Sequence, residues 1–211
     1  MRLAIERLAV ERGGRPLFSG LSFTLGPGEL LVVEGRNGAG KSSLLRAIAG
    51  LLHPSEGTIT IQSEAIAGRT APQPEQGPAG PLCHYLGHLD ALKPTLSLAR
   101  NLRLWRHVEG APDMTIETAL EMVGLDGLGS LPAAWLSAGQ KRRAALARLL
   151  LVRRPLWLLD EPTAALDIAG EALLGGLIVR HLSAGGVAIV ATHQPLPIPA
   201  STTLMLGAPQ R

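Results

Sequence analysis

The chain has 211 residues, 46% apolar and 18% charged, with a formal net charge of +3, which is the balance of a globular domain with an ordinary buried core. Its single cysteine, Cys83, excludes an internal disulfide and favours a reducing compartment. The charged start Met1-Arg2-Leu3-Ala4-Ile5-Glu6-Arg7 lacks a signal-peptide core, and no uncharged apolar run reaches the roughly 20 residues of a membrane span, so the expectation is a soluble or peripheral protein.

Residues 3–10 and 21–25 alternate as strands do, and Pro27-Gly28 marks a turn. Residues 30–33 form a short apolar strand running directly into a glycine-rich stretch, and 42–52 read as a helix closed by Gly50 and Pro54. Residues 58–61 alternate again. Residues 63–81, rich in Pro, Gly, Gln and Ala, have little periodicity and read as an irregular connection. From 95 to 135 the apolar spacing is helical, broken at Gly110-Ala111-Pro112 and at 127–129. A helix at 138–152, a strand at 156–159, a helix at 168–183 and a strand at 187–191 complete the chain. Strands alternating with helices imply crossover units and a mainly parallel sheet, with functional loops at the carboxyl ends of its strands.

Three segments carry chemistry. Gly35-Arg36-Asn37-Gly38-Ala39-Gly40-Lys41-Ser42, followed by Ser43, matches the phosphate-binding pattern G-x-x-x-x-G-K-[ST] in full. Its glycines let backbone N–H groups turn inward, Lys41 offers a point charge to the β- and γ-phosphates, and Ser42 offers a hydroxyl to Mg²⁺. The apolar strand before Asp160-Glu161-Pro162 ends in adjacent carboxylates, and successive side chains on a strand point opposite ways, so the pair is not expected to share one role. Asp160 is therefore expected to complete the Mg²⁺ shell and Glu161 to act as general base on water. Thr192-His193 ends the next strand, where His193 can hydrogen-bond the γ-phosphate. These features alone suit a kinase, a helicase or a transporter ATPase.

Leu136-Ser137-Ala138-Gly139-Gln140 separates them, because it resembles the ABC signature LSGGQ and stands just upstream of Asp160-Glu161. Ser137 and Gln140 also have capping-box spacing, so the same residues start a helix and leave an anion site at its end. Asp167 matches the D-loop of that family. The chain is thus similar throughout to ABC ATPases, which implies an α/β P-loop NTPase fold. It would be one domain over residues 1–211, with an N-terminal antiparallel β subdomain and a helical subdomain of about 93–150 inserted in a RecA-like core. The resemblance further implies a head-to-tail homodimer, in which Ser137, Gly139 and Gln140 of one copy meet ATP held by residues 35–43 of the other.

Residues 17–25, Tyr85-Leu86-Gly87-His88, 136–149 and Thr192-His193-Gln194-Pro195-Leu196 resemble, more narrowly, the CcmA family of cytochrome c maturation ATPases. That family implies peripheral attachment at the cytoplasmic face of a bacterial inner membrane, on integral membrane subunits. There ATP turnover releases a haem-loaded chaperone, which the ATPase meets only indirectly. Direct haem binding by Cys83, His84, Tyr85 and His88 is not expected, and neither is nucleic-acid binding, since no basic stripe with stacking aromatics is present. Another cargo, or a soluble ABC ATPase acting on nucleic acid, are the rival readings. Two departures stand out. Leu89 occupies the slot where the family places a Gln, so either His88 or Asp90 substitutes or the contact is lost. No aromatic lies between 8 and 16 to stack on adenine, which leaves the guanidinium of Arg12.

Overall fold

A computed structural model describes residues 1–62, 75–76, 79–109 and 113–207. Most of the irregular connection expected at 63–81, and the break at 110–112, lie outside the described residues.

Two sheets make up the molecule. The first is antiparallel, in the order β2-β1-β4-β5, from β1 (Arg2–Arg12), β2 (Arg15–Leu25), β4 (Glu56–Gln62) and β5 (Glu75–Gln76). Along β1 the buried positions switch parity, from Leu3 and Ile5 to Leu8 and Val10. The switch falls where the pairing with both neighbours slips, at Arg7, which takes φ 47°. An extra residue there re-aims the strand, so both halves face the same core.

The second sheet is parallel throughout, in the order β6-β7-β8-β3-β9, from β3 (Leu30–Glu34), β6 (Cys83–Leu86), β7 (Leu156–Asp160), β8 (Val187–Ala191) and β9 (Thr202–Met205). Strands β7 and β8 are buried at every position, as expected of strands covered on both faces. Alternation divides their side chains between two cores. Leu31, Val33, Leu156, Leu158 and Ile189 pack with Leu44, Leu45 and Ile48 of α1 (Lys41–Ile48) and with the first sheet. Leu30, Val32, Trp157, Leu159 and Val190 pack with α4 (Ala138–Leu151) and α5 (Ile168–Ser183).

Between β6 and β7 the chain forms α2 (Leu98–Glu109) and α3 (Ile116–Met122), whose Leu98, Leu102, Ala119 and Leu120 join the second core beside α4. Thr115 caps α3 by accepting from Thr118 N at 3.1 Å, and Asp167 caps α5 by accepting from Gly170 N at 2.8 Å. The fold is the P-loop ABC ATPase architecture anticipated from the motifs. Its details differ from the sequence reading at four elements. Strands β6 and β9 were not separated from their surroundings, β2 begins at Arg15 rather than 21, and α1 ends at Ile48 rather than 52.

Candidate nucleotide site

The carboxyl ends of β3, β7 and β8 lie side by side, and each delivers a polar loop to the same edge of the sheet. After β3 the chain turns through Gly35 at φ 146° and Gly38 at φ 85° into Gly40 at φ 101°, which precedes the first residue of α1. A Cβ at Gly35 would stand 2.5 Å from the Leu206 carbonyl oxygen, just past β9. The loop thus passes too close to the neighbouring backbone for any other residue. Lys41 begins α1 and folds back, donating from Nζ to the Gly35 carbonyl at 2.8 Å. Its ammonium is buried, 3.9 Å from Glu161 Oε1.

Ser42 donates from Oγ to Asp160 Oδ1 at 3.0 Å. Asp160 is the last residue of β7 and almost fully buried. Glu161 has left the strand, with φ 47° and its N–H donating to Ala191 O at 2.8 Å. The two carboxylates therefore take different partners because the backbone turns between them, and not through the strand alternation expected from sequence. Both line the same cleft. Glu161 Oε2 lies 2.9 Å from His193 Nδ1, and the imidazole is more than half exposed.

The cleft has a volume of about 330 Å³ and is bordered by Arg12, Arg36, Lys41, His88, Asp160 and Glu161 together with the glycine loop. Asn37, Gly38, Ser42 and Ser43 line it too; Gly35 and Ala39 do not, and lie against residues 206–207. Cations and carboxylates together in one cleft suit a polyphosphate carrying a divalent ion. The Ser42 hydroxyl beside the Asp160 carboxylate is a pair of hard oxygen donors, the type Mg²⁺ takes. Arg12 stands on the wall with Leu17, where the base was expected to meet it.

The residues proposed to replace a glutamine are now distinguishable. Leu89 is 80% exposed, and Asp90 accepts from Arg142 Nη1 at 3.2 Å, while His88 faces the cleft. Cys83, His84 and Tyr85 have separate surroundings. Cys83 Sγ donates to Gly80 O at 3.5 Å, the buried His84 imidazole lies 2.7 Å from Val152 O, and the Tyr85 hydroxyl accepts from Arg46 Nε at 3.3 Å. Burial pushes the Cys83 thiol up to about 11.

Ser137, Gly139 and Gln140 are not brought to this cleft within the chain. They start α4 with a complete capping box: Ser137 Oγ accepts from Gln140 N at 3.2 Å, and Gln140 Oε1 accepts from Ser137 N at 2.9 Å. Asp167 begins the next helix, and Ile168 beside it is 88% exposed.

Sequence reasoning missed the groups that hold this machinery. Arg142 is 2% exposed and bonds to the main chain on both sides of the cleft floor. Arg148 donates to Tyr85 O at 2.9 Å, with its guanidinium 4.1 Å from the centre of the Trp105 ring. Buried Asn101 accepts from Lys93 N at 2.7 Å and donates to the carbonyls of Lys93, Leu96 and Ser97. Nothing in the Lys141-Arg142-Arg143 run marks its middle residue for burial.

Residues 18–164 match the family described as ABC transporter. The chain is 51% identical over 198 residues to the cytochrome c biogenesis ATP-binding export protein CcmA of Mesorhizobium japonicum, covering 94% of each chain. With the protein of the same description from Chelativorans sp. it shares 50% identity over 208 residues, 99% of each. In structure it is similar to a solved ATP-binding subunit of an ABC transporter, with a TM-score of 0.83 at 24% identity, covering 98% of this chain and 86% of the other.

Proposed function

We propose, for a chain that belongs to the ABC transporter family of ATPases, a division of labour among the residues around its cleft and a cargo pathway that they serve. The chain binds and hydrolyses ATP; the observation that carries the residue roles is the convergence of Lys41, Ser42, Asp160 and Glu161 on one cleft, with His193 2.9 Å from Glu161. Backbone N–H groups of residues 35–43 and the Lys41 ammonium hold the phosphates. Ser42 and Asp160 would hold Mg²⁺, which would supply charge neutralisation to the phosphates. Glu161 accepts a proton from water as that water attacks the γ-phosphorus and the bond to the bridging oxygen breaks. His193, 2.9 Å from Glu161, orients that carboxylate and reaches the γ-phosphate. His88 takes the place left by Leu89 at the cleft wall, and Arg12 lies against the base.

The signature residues Ser137, Gly139 and Gln140 complete the site from a second copy. Their helix start is an anion site that its own chain leaves away from the cleft, and the exposed Ile168 beside Asp167 supplies apolar surface for such a seam. The architecture is read as one domain over 1–211, with about 93–150 as the inserted helical subdomain. Among the described residues no helix is long and apolar enough to cross a membrane. The half-identical relatives, named for cytochrome c biogenesis and export, support assignment to a haem-exporter complex of cytochrome c maturation. This chain would dock there on integral membrane subunits at the cytoplasmic face of the inner membrane.

The test is Glu161→Gln expressed in place of the wild-type gene. The reading requires ATP binding to persist, c-type cytochromes to disappear, and haem to accumulate on its chaperone. Normal c-type cytochromes with hydrolysis abolished would remove the cargo assignment and leave an ATPase of another transporter.

A further inference from the structure

Arg142 occupies the second turn of α4 and is 2% exposed, a burial an arginine sustains only when every donor is met. All are. Nε donates to Pro162 O at 3.1 Å, and Nη2 donates to Asp160 O at 3.1 Å and Glu161 O at 2.6 Å. Nη1 donates to Gly87 O at 3.0 Å and Asp90 Oδ1 at 3.2 Å. A guanidinium has five N–H donors in a fixed planar fork, so none remains to bridge a shift of either side. Asp90, with its side chain 26% exposed, supplies the counter-charge.

The two sides so joined are not arbitrary. Three of the acceptors are consecutive carbonyls where β7 gives way to the left-handed turn at Glu161. The other two bracket His88, which lines the cleft. An apolar side chain could fill the same space at lower desolvation cost. A buried, fully saturated cation instead ties the position of the Glu161 main chain to that of the segment 87–90.

We infer that Arg142 is a positioning residue for hydrolysis, setting the geometry of Glu161 and coupling it, through Asp90, to the loop that carries His88. This rests on the reading of Glu161 as general base. The phosphate loop hangs on β3 and is untouched by these bonds, so the inference separates turnover from binding.

The full-length chain is assayed for steady-state and single-turnover ATP hydrolysis, and for equilibrium binding of a fluorescent ATP analogue. Arg142→Gln should lower kcat about tenfold or more with nucleotide affinity within about threefold of wild type. Arg142→Lys, which can pair with Asp90 but cannot fork to three carbonyls, should recover only part of the loss. Asp90→Asn keeps an acceptor and removes the charge, and should cost about threefold in kcat. Because Arg142 acts through Glu161, adding Arg142→Gln to Glu161→Gln should cost almost nothing further in single-turnover rate. Wild-type kcat in both Arg142→Lys and Asp90→Asn would overturn the inference, as would parallel losses of kcat and affinity, or full additivity in the double variant. Should Arg142→Gln fail to fold, the Lys and Asn variants decide alone. If Glu161→Gln itself keeps its turnover, the base assignment falls instead, which is a separate result.

Discussion

Residues 35–43 and residues 87–97 both border the nucleotide cleft, and they are held in place by opposite means. In the first, the main chain does the work: positive φ angles at Gly35, Gly38 and Gly40, and a backbone passing within reach of Leu206 O. In the second, side chains arriving from helices fix an irregular backbone, with Arg142 at Gly87 and Asp90, Trp105 at Ala91 O, and Asn101 at Lys93 and Leu96. A site made of backbone withstands change at most of its side chains. One made of side chains can be lost at a single codon, and can also be tuned there.

The largest expected effect tests whether chemistry can be removed without touching the backbone-built half. Glu161→Gln should lower steady-state hydrolysis by about a hundredfold or more while leaving ATP affinity intact. Near-normal turnover would return Glu161 to a structural role. Lys41→Ala removes the buried ammonium of the glycine loop and should weaken ATP binding about 30-fold, measured by titration; unchanged affinity would mean that the backbone alone suffices. Asn101→Ala addresses the other half. It removes a buried amide that accepts from Lys93 N and donates to three carbonyls, and should cost about 2 kcal/mol in urea unfolding, with ATP affinity unmoved. An unshifted midpoint would refute the claim that this segment is side-chain-held.

The smallest effect is a control remote from both halves. His181 stacks on Trp157 with ring centres 4.2 Å apart, and burial lowers it from 6.5 to about 4. The unfolded chain therefore takes up a proton below pH 6.5 that the folded chain refuses until about pH 4. Its contribution to stability is fully present above pH 6.5 and is lost as pH falls towards 4. His181→Phe should flatten that part of the profile of Tm against pH; an unchanged slope would assign it to other groups.

What could be read from the sequence follows the same division. Glycine at a forced conformation is visible in one dimension, so the glycine-rich turn, the strand before it, the start of the helix after it and the capping box at Ser137 are legible in the sequence, while the end of that helix is not. Continuous apolar strands such as β7 and β8 were equally plain. Strand β6 was not, because it has four residues including a buried histidine whose partner, Val152 O, is far away in sequence. Strand β9 is a short, largely exposed edge strand in which only Leu204 and Met205 are apolar. Arg142 was invisible for a different reason. Between Lys141 and Arg143 it looks like one more charge on a solvated helix face, and only the packing of α4 against the end of β7 distinguishes it.

The left-handed turn at Glu161 has a bearing on how this protein can be improved or worn down. A glutamate at φ 47° sacrifices of order 1 kcal/mol that glycine or asparagine would not. Random variants sorted only for heat resistance should therefore drift towards those residues at 161, gaining melting temperature and losing work. Any programme of stabilisation that leaves ATP consumption unmeasured would be selecting against the very carboxylate it needs to keep.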